Sequence, residues 1–201
     1  MVNSQNKIST ILDEDLQKAG DKGFALTRNR LVGKNVVSYG VRTSEIRKIV
    51  KKYRKEFQEL KRARDCFEIA SDLISRKVLD DQIAGIFLLG LCKELSQINN
   101  IARIEKLIVN YIDNWAVCDT ISSKVVTRIL EDLPEEIEIL YSWIQSENKW
   151  LRRAALVTAV KLKNKISNWE DVSFSLLSLS SKERDSLVKK ARSWLTSALK
   201  R

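Results

Sequence analysis

The sequence predicts an all-α protein. Its 201 residues include one proline and six glycines, too few for a fold rich in turns. Apolar residues recur at steps of three and four, as at Ile46, Ile49, Val50 and Tyr53, which is the spacing of an amphipathic helix. Hydrophobic residues make up 44% of the chain, enough to form a core. We therefore expect helices of about a dozen residues joined by short turns.

The predicted elements follow one another along most of the chain. An N-terminal helix within residues 1–20 comes first, and a helix and a turn containing several apolar residues should then pack onto the helices that follow. Those apolar residues are Phe24, Leu26, Leu31, Val36, Val37 and Tyr39. Thr43 or Ser44 is expected to cap the next helix, and a turn is expected at Asn99-Asn100. The remaining helices are predicted at 43–61, 65–77, 80–95, 101–112, 114–131, 134–146, 149–162, 169–179 and 181–199.

Helix pairs of roughly forty residues are typical of an α-solenoid of HEAT type. Such a protein stacks antiparallel helix pairs, so that one row of helices lines a concave face. We expect one HEAT-like domain over residues 1–201, with a concave basic groove. A compact helical bundle is the alternative that periodicity leaves open.

The net charge of +10 is concentrated in two segments. Residues 22–64 carry a net +11 and residues 149–201 a net +9, whereas residues 65–148 between them carry −8. This pattern indicates an anionic partner, either nucleic acid or a membrane surface, held by both basic segments. The alternative is that each basic residue simply lies on the solvated side of its helix.

Three cysteines, Cys66, Cys92 and Cys118, lie far apart among apolar residues and lack the spacing of a metal site. We expect them to be buried, reduced thiols in a cytoplasmic protein. No apolar run approaches the length of a membrane span, so we expect a soluble protein.

The absence of histidine excludes several catalytic classes. Serine and cysteine hydrolases with a histidine base, and histidine-ligated zinc or iron sites, all require imidazole. Any catalysis must rest on carboxylates, hydroxyls or lysines, and we expect no metal and no cofactor.

Three tryptophans near charged residues form the candidate site. Trp115 and Asp119 are four residues apart and share a helix face, with Ser122, Val126 and Arg128 expected nearby. Trp150 precedes Arg152 and Arg153, one of which should point away from the apolar stripe of its helix. Trp194 follows the basic run Lys189-Lys190-Ala191-Arg192. Indoles beside cations are typical of nucleic-acid surfaces, although each group could instead be structural.

Four motifs in this order resemble the DNA alkylation repair family of HEAT-like DNA glycosylases (AlkD-like). They are Ser38-Tyr39-Gly40-Val41-Arg42-Thr43-Ser44-Glu45, Asn114-Trp115 with Asp119, Trp150-Leu151-Arg152-Arg153, and Ala191-Arg192-Ser193-Trp194. Together they cover most of residues 22–199. The chain differs from the family pattern at Leu31, Arg42 and Ser44, and a final helix of longer relatives is expected to be absent.

The resemblance implies excision of N-alkylated purines, such as 3-methyladenine and 7-methylguanine, from double-stranded DNA as part of base excision repair. It gives Asp119 the role of catalytic carboxylate and places Trp115 and Trp194 against the lesion deoxyribose. It gives Arg153 the role of holding the DNA backbone. The residues expected to contact DNA are Arg42, Thr43, Arg47, Lys51, Lys149, Arg152, Lys189, Lys190 and Arg192.

We therefore expect a monomeric, monofunctional glycosylase that uses no lysine nucleophile. A HEAT-like protein that binds damaged or branched DNA without cutting it is the main alternative. A protein-binding adaptor leaves the charge pattern unexplained, and membrane-surface binding lacks a helix with the required basic and apolar faces.

Overall fold

The computed structural model describes residues 4–58, 63–92, 95–96 and 100–200. The regular elements in these residues are helices, which confirms the all-α prediction. In the described residues, the strand-like pairing is limited to an isolated bridge between Val37 and Val78. The chain forms two compact units, Met1–Leu95 and Ser96–Arg201, which are described separately.

The first unit is built from six helices in its described residues. They are α1 (Ser4–Lys18), α2 (Lys22–Val32), α3 (Thr43–Lys52), α4 (Arg54–Gln58), α5 (Ala63–Ser75) and α6 (Leu79–Leu89). Helix α6 packs against α3 and α5, and ten of its eleven residues are buried. Its all-round apolar sequence predicted this central position.

The predicted helix over 43–61 is wrong as a single element. It is divided at Tyr53, whose backbone (φ −92°, ψ 5°) ends α3, and α4 begins at the next residue. The Tyr53 hydroxyl donates a 2.9 Å hydrogen bond to Asp15 of α1, and this tertiary contact lies at the break. The end of the predicted helix at Lys61 falls outside the described residues, as does Asn99 of the predicted turn.

The predicted cap of α3 is also wrong. Arg42 occupies the N-cap position and makes no capping hydrogen bond through its side chain. The Thr43 hydroxyl instead lies 3.4 Å from a nitrogen of Arg28, which can donate to it. The first turn of α3 therefore retains backbone N–H groups that no side chain caps.

Several apolar residues of the first unit face solvent rather than the core. Leu26 is 62% exposed, Leu31 is 70% exposed and Val37 is 60% exposed, so these three side chains do not supply the packing of the predicted helix and turn. The Phe24 ring instead contacts cations, with the guanidinium carbons of Arg28 and Arg42 at 5.2 and 4.7 Å from its centroid. Helix α2 therefore presents an apolar and basic surface.

The segment before α3 is held by one buried carboxylate, that of Asp80. This carboxylate accepts hydrogen bonds from the backbone N–H groups of Tyr39 (2.7 Å) and Val41 (3.0 Å) and from the Ser38 hydroxyl (2.7 Å). It also pairs with Arg28 at 2.9 Å. Gly40 takes a φ of +83°, and a Cβ there would lie 2.0 Å from the carbonyl oxygen of Asp21. The loop that leads into α3 therefore requires both a carboxylate and a glycine.

The second unit contains seven α-helices in its described residues. They are α7 (Asn100–Tyr111), α8 (Trp115–Ile121), α9 (Thr127–Asp132), α10 (Glu138–Ile144), α11 (Lys149–Leu162), α12 (Trp169–Leu179) and α13 (Ser186–Leu199). Helix α11 is central because it packs against α7, α8, α10, α12 and α13, and ten of its fourteen residues are buried. Asn148 caps it by accepting a 2.8 Å hydrogen bond from the Trp150 N–H.

A π-helical turn, Ser122–Val126, joins α8 to α9 within the single helix predicted over 114–131. The Ser122 hydroxyl donates to the carbonyl oxygen of Cys118 at 2.7 Å, and the Thr127 hydroxyl donates to that of Ser122 at 2.8 Å. A π turn shifts the register of the residues after it. Ser122 and Val126 are buried, so they do not lie on the open face beside Asp119 as predicted.

The last helix begins at Ser186, five residues later than predicted. Asp185 is its N-cap and accepts hydrogen bonds from the N–H groups of Leu187 (2.8 Å) and Val188 (3.2 Å). Upstream, the Glu183 carboxylate accepts from the N–H groups of Arg184 and Asp185 at 2.8 Å each. These side-chain bonds hold the preceding residues in a turn.

Candidate active site

Asp119 and Arg153 form a bidentate ion pair between α8 and α11. The Nε and Nη2 atoms of Arg153 each donate a 2.7 Å hydrogen bond to a different oxygen of the Asp119 carboxylate. The Arg153 side chain is 1% exposed and that of Asp119 is 20% exposed. Nη1 of Arg153 donates to the backbone carbonyl of Leu187 on α13. The guanidinium therefore joins three helices and holds the carboxylate in one orientation.

Trp194 covers the other side of this arginine. The guanidinium carbon of Arg153 lies 5.1 Å from the centroid of the Trp194 ring, within the range of a cation–π contact. Trp194 is 38% exposed, although tryptophan side chains are highly buried on average. One part of the ring thus packs on a buried cation while another part is accessible.

A cleft of about 690 Å³ opens beside this cluster, within the second unit. Helix α8 with its π turn, helix α11 and helix α13 form its walls. The lining residues are Asp119, Ser123, Val157, Val160, Lys161, Lys163, Trp194, Ser197 and Ala198. The cleft thus brings a carboxylate, an exposed indole and two lysines to one accessible space.

The structure brings together three of the four residues predicted to be catalytic, namely Asp119, Arg153 and Trp194. Trp115, the fourth, is the first residue of α8 and is half-buried. It lies one turn before Asp119, as their spacing predicts, but it is not among the described residues that line the cleft.

Arg152, adjacent to Arg153, is held by another carboxylate. Its Nε donates to Glu183 at 2.7 Å, and its Nη1 donates to the backbone carbonyls of Ser146 and Glu147. Burial disfavours the ionised form of Glu183, but the bonds from Arg152 and from backbone N–H groups outweigh it and lower its pKa below the usual value. Arg152 thus ties the start of α11 to the turn before α13.

The other predicted DNA contacts of the second unit differ in how accessible their charges are. Lys149 lies 3.9 Å from Asp185, and a nitrogen of Arg192 lies 3.4 Å from the backbone carbonyl of Leu177, to which it can donate. Lys189 and Lys190 are exposed on the first turns of α13. The most accessible predicted cations of this unit are therefore the two lysines.

In the first unit the predicted contacts lie on and just before α3. Arg42, Thr43, Arg47 and Lys51 are all exposed. Arg47 and Lys51 are one turn apart, and the Arg47 guanidinium lies 5.2 Å from the centroid of the Phe87 ring. Helix α3 therefore presents a row of cations to solvent.

The family comparison agrees with this arrangement. A family model described as DNA alkylation repair enzyme matches residues 12–199, nearly the whole chain. The chain belongs to the DNA alkylation repair enzyme family. Its membership supports a role in the repair of alkylated DNA, with DNA as the partner. No curated protein matches the sequence significantly.

Among the described residues of this DNA alkylation repair protein, no cluster of three or more histidine, cysteine, aspartate or glutamate residues is arranged to hold a metal ion. Over the same residues, no helix combines the length and apolar character that crossing a membrane requires. All three cysteines are buried without a disulfide, as predicted, and burial raises the pKa of the Cys118 thiol.

Sequence reasoning missed four polar residues of the cleft, Ser123, Lys161, Lys163 and Ser197. Ser123 could have been found, because it lies four residues after Asp119 and therefore on the same helix face. Lys161 could have been found, because Arg153, Val157, Val160 and Lys161 follow helical spacing along one face of α11.

Proposed function

We propose that this protein is a DNA glycosylase that removes cationic N-alkylated purines, such as 3-methyladenine and 7-methylguanine, from double-stranded DNA. The observation that carries the proposal is the Asp119 carboxylate, oriented by Arg153 in an accessible cleft beside the exposed indole of Trp194. Membership of the DNA alkylation repair enzyme family supports alkylated DNA as the substrate class.

The chemistry of the substrate explains why so few groups are needed. An N-alkylated purine of this type already carries a positive charge, so cleavage of its glycosidic bond releases a neutral base and requires no general acid. The sugar develops oxocarbenium character, which a nearby carboxylate stabilises electrostatically. Water then adds to the sugar carbon and releases one proton to the solvent, which leaves the abasic sugar. A protein without histidine can perform this reaction.

In this proposal Trp194 packs against the lesion deoxyribose and excludes water, and Trp115 assists from the preceding turn of α8. The role of Arg153 differs from the one that the resemblance implies. Its guanidinium is 1% exposed and its hydrogen bonds go to Asp119 and Leu187, so it is poorly suited to hold DNA phosphate. We assign it the positioning of Asp119.

The wider architecture is part of the proposal. A single HEAT-like domain over residues 1–201, acting as a monomer with a basic concave groove, would let both basic segments bind one duplex. The proposed reaction uses no metal, no cofactor and no lysine nucleophile, so the DNA strand stays intact until the abasic product is treated with alkali.

The test is base release from a duplex with a single 7-methylguanine, measured at saturating enzyme. Asp119→Asn should lower the release rate about 100- to 1,000-fold, the usual loss when one electrostatic catalytic group is removed. Affinity for undamaged duplex should stay within about twofold, because Asp119 adds negative charge rather than a phosphate contact. Asp171→Asn is the matched control, since Asp171 is an exposed carboxylate in the first turn of α12.

A wild-type release rate in Asp119→Asn would overturn the site assignment. Wild-type protein that prefers damaged duplex but releases no base would favour the non-catalytic DNA-binding alternative.

A further inference from the structure

Helix α11 carries a second functional group into the candidate cleft. Arg153, Val157, Val160 and Lys161 are spaced along one face of this helix, and the last three line the cleft. At a rise of about 1.5 Å per residue, Lys161 lies about 12 Å along the helix axis from Arg153. The lysine is therefore at the end of the cleft opposite the start of α11.

The positive charges of this cleft are unequally accessible. Arg153 is neutralised by Asp119 and buried beneath Trp194. Lys163 is half-buried, and its Nζ donates a 2.6 Å hydrogen bond to the backbone carbonyl of Ala198 and lies 5.3 Å from the Trp169 ring centroid. Lys163 is thus occupied in joining the end of α11 to α13.

Lys161 differs from both. It is exposed, and its ammonium has no hydrogen bond or ion pair with any other part of the chain that the structure describes. A lysine in this state is a hydrated point charge at the edge of the cleft, able to bind an anion without first breaking an internal bond.

The spacing suits the DNA backbone. A strand carries one phosphate per about 3.4 Å of helix axis, so several phosphates lie within about 12 Å of any one sugar. If the lesion deoxyribose enters between Asp119 and Trp194, the same strand passes the end of the cleft where Lys161 lies.

We infer that Lys161 binds a backbone phosphate within about three nucleotides of the lesion on the damaged strand, and supplies the phosphate contact that the buried Arg153 cannot make. The inference rests on the proposed function, because that function places the lesion sugar in this cleft. Lys161 acts in binding and is not a catalytic residue.

The test asks whether Lys161 and one particular phosphate contribute to affinity through the same contact. Duplexes carry a tetrahydrofuran abasic analogue, which no glycosylase can cleave, and a neutral methylphosphonate replaces one phosphate at a time for three nucleotides on each side. At one methylphosphonate position, the wild-type protein should bind about fivefold more weakly than it binds the unmodified duplex, which corresponds to about 1 kcal/mol. The Lys161→Gln variant should bind these two duplexes equally well. Lys161→Gln should also reduce the slope of log affinity against log salt by about one.

Lys182→Gln is the matched control, because Lys182 is an exposed lysine in the turn before α13 and does not line the cleft. It should keep the wild-type sensitivity to the methylphosphonate. The inference would be overturned if every methylphosphonate reduced the affinity of Lys161→Gln by the same factor as that of the wild type. It would also be overturned if Lys161→Gln left the slope of log affinity against log salt unchanged.

These outcomes are separable from failure of the proposed function. Wild-type protein that binds the duplexes but never releases 7-methylguanine overturns the glycosylase assignment, while the methylphosphonate comparison still decides the role of Lys161. Wild-type protein that binds no duplex overturns both. If release occurs, Lys161→Gln should raise the half-saturating enzyme concentration about fivefold and leave the saturating rate within twofold.

Discussion

The two carboxylate oxygens of Asp119 each accept a 2.7 Å hydrogen bond from the guanidinium of Arg153, on the neighbouring helix α11. The arginine is almost fully buried while the aspartate keeps 20% of its side chain exposed. One partner is therefore fixed by the core, and the other is presented to the cleft. This asymmetry is what a positioned, accessible carboxylate requires.

Replacing Arg153 should affect base release through the orientation of Asp119. Arg153→Lys keeps the charge, but an ammonium cannot make the planar two-bond contact to the carboxylate and also reach the Leu187 carbonyl. We expect the saturating release rate to fall about 10- to 100-fold, with affinity for undamaged duplex within twofold. Single-turnover kinetics and a binding titration measure the two effects.

Arg184→Lys serves as the control for that experiment, because Arg184 is exposed and lies outside the cleft. If Arg153→Lys instead weakened duplex binding and left the saturating rate unchanged, Arg153 would be a DNA contact and the positioning role would be wrong.

Trp194 should contribute more to catalysis than to stability. It is 38% exposed, so Trp194→Ala removes little core packing, yet it uncovers Arg153 and one wall of the cleft. We expect the release rate to fall at least about tenfold and the free energy of unfolding to fall by about 1 kcal/mol or less. Trp194→Phe retains an aromatic wall and should recover most of the rate. A rate loss in Trp194→Ala that is matched by global unfolding would contradict this assignment.

Asp80 should be among the most sensitive positions for stability. Its buried carboxylate accepts from two backbone N–H groups and the Ser38 hydroxyl, and it pairs with Arg28. An amide has one acceptor oxygen and would leave the buried Arg28 without a counter-charge. We expect Asp80→Asn to lower the free energy of unfolding by about 3–5 kcal/mol, measured by urea titration.

Asp72→Asn is the comparison for Asp80. Asp72 also bonds an arginine, Arg76, at 2.8 Å, but its side chain is 45% exposed. The Asp72→Asn change should lower the free energy of unfolding by less than about 1 kcal/mol. Similar losses for the two variants would show that the buried network around Asp80 has little importance.

Asp81 should make stability depend on pH. Burial, followed by the negative charge of Asp13, raises its pKa to about 7, although Arg76 and the Tyr39 hydroxyl act in the opposite direction. Because an unfolded aspartate titrates near pH 3.9, the folded state binds the extra proton between about pH 4 and 7. The contribution of Asp81 to the free energy of unfolding is therefore fully present below about pH 4 and is lost as the pH rises through 7.

Asp81→Asn removes this titration. We expect the variant and wild type to have similar free energies of unfolding at pH 4, and the variant to be more stable at pH 8 by up to about 4 kcal/mol. Urea titrations at several pH values measure the difference. A difference that does not vary with pH would mean that the pKa of Asp81 is the same in the folded and unfolded states.

Local patterns predicted many of the helices well. The predicted spans 149–162 and 169–179 coincide with α11 and α12. Asn148 caps α11, whereas Asn168, at the same position before α12, makes no capping hydrogen bond through its side chain. The three buried thiols and the all-round burial of α6 also followed from apolar sequence. These features depend on neighbours within a few turns.

Other features depend on partners distant in sequence. The break at Tyr53 lies beside its bond to Asp15, and the late start of α13 accompanies the contact between Arg152 and Glu183. The exposure of Leu31 could not be inferred either, since an apolar residue on a helix is ordinarily expected to pack. No local pattern encodes these contacts.

The amino-acid sequence alone was enough to establish the helical class, the excess of basic residues, the exclusion of imidazole chemistry and the placement of Trp115 and Asp119 on one helix face. Three features became clear only from the packing of the helices: which arginine meets Asp119, that this arginine is buried, and that Lys161 is the exposed lysine among the described residues that line the cleft. The physical reason is that helical periodicity specifies which side of one helix a residue faces. The opposing side chain comes from another helix, 34 residues away in the case of Arg153, and is selected by packing and charge pairing.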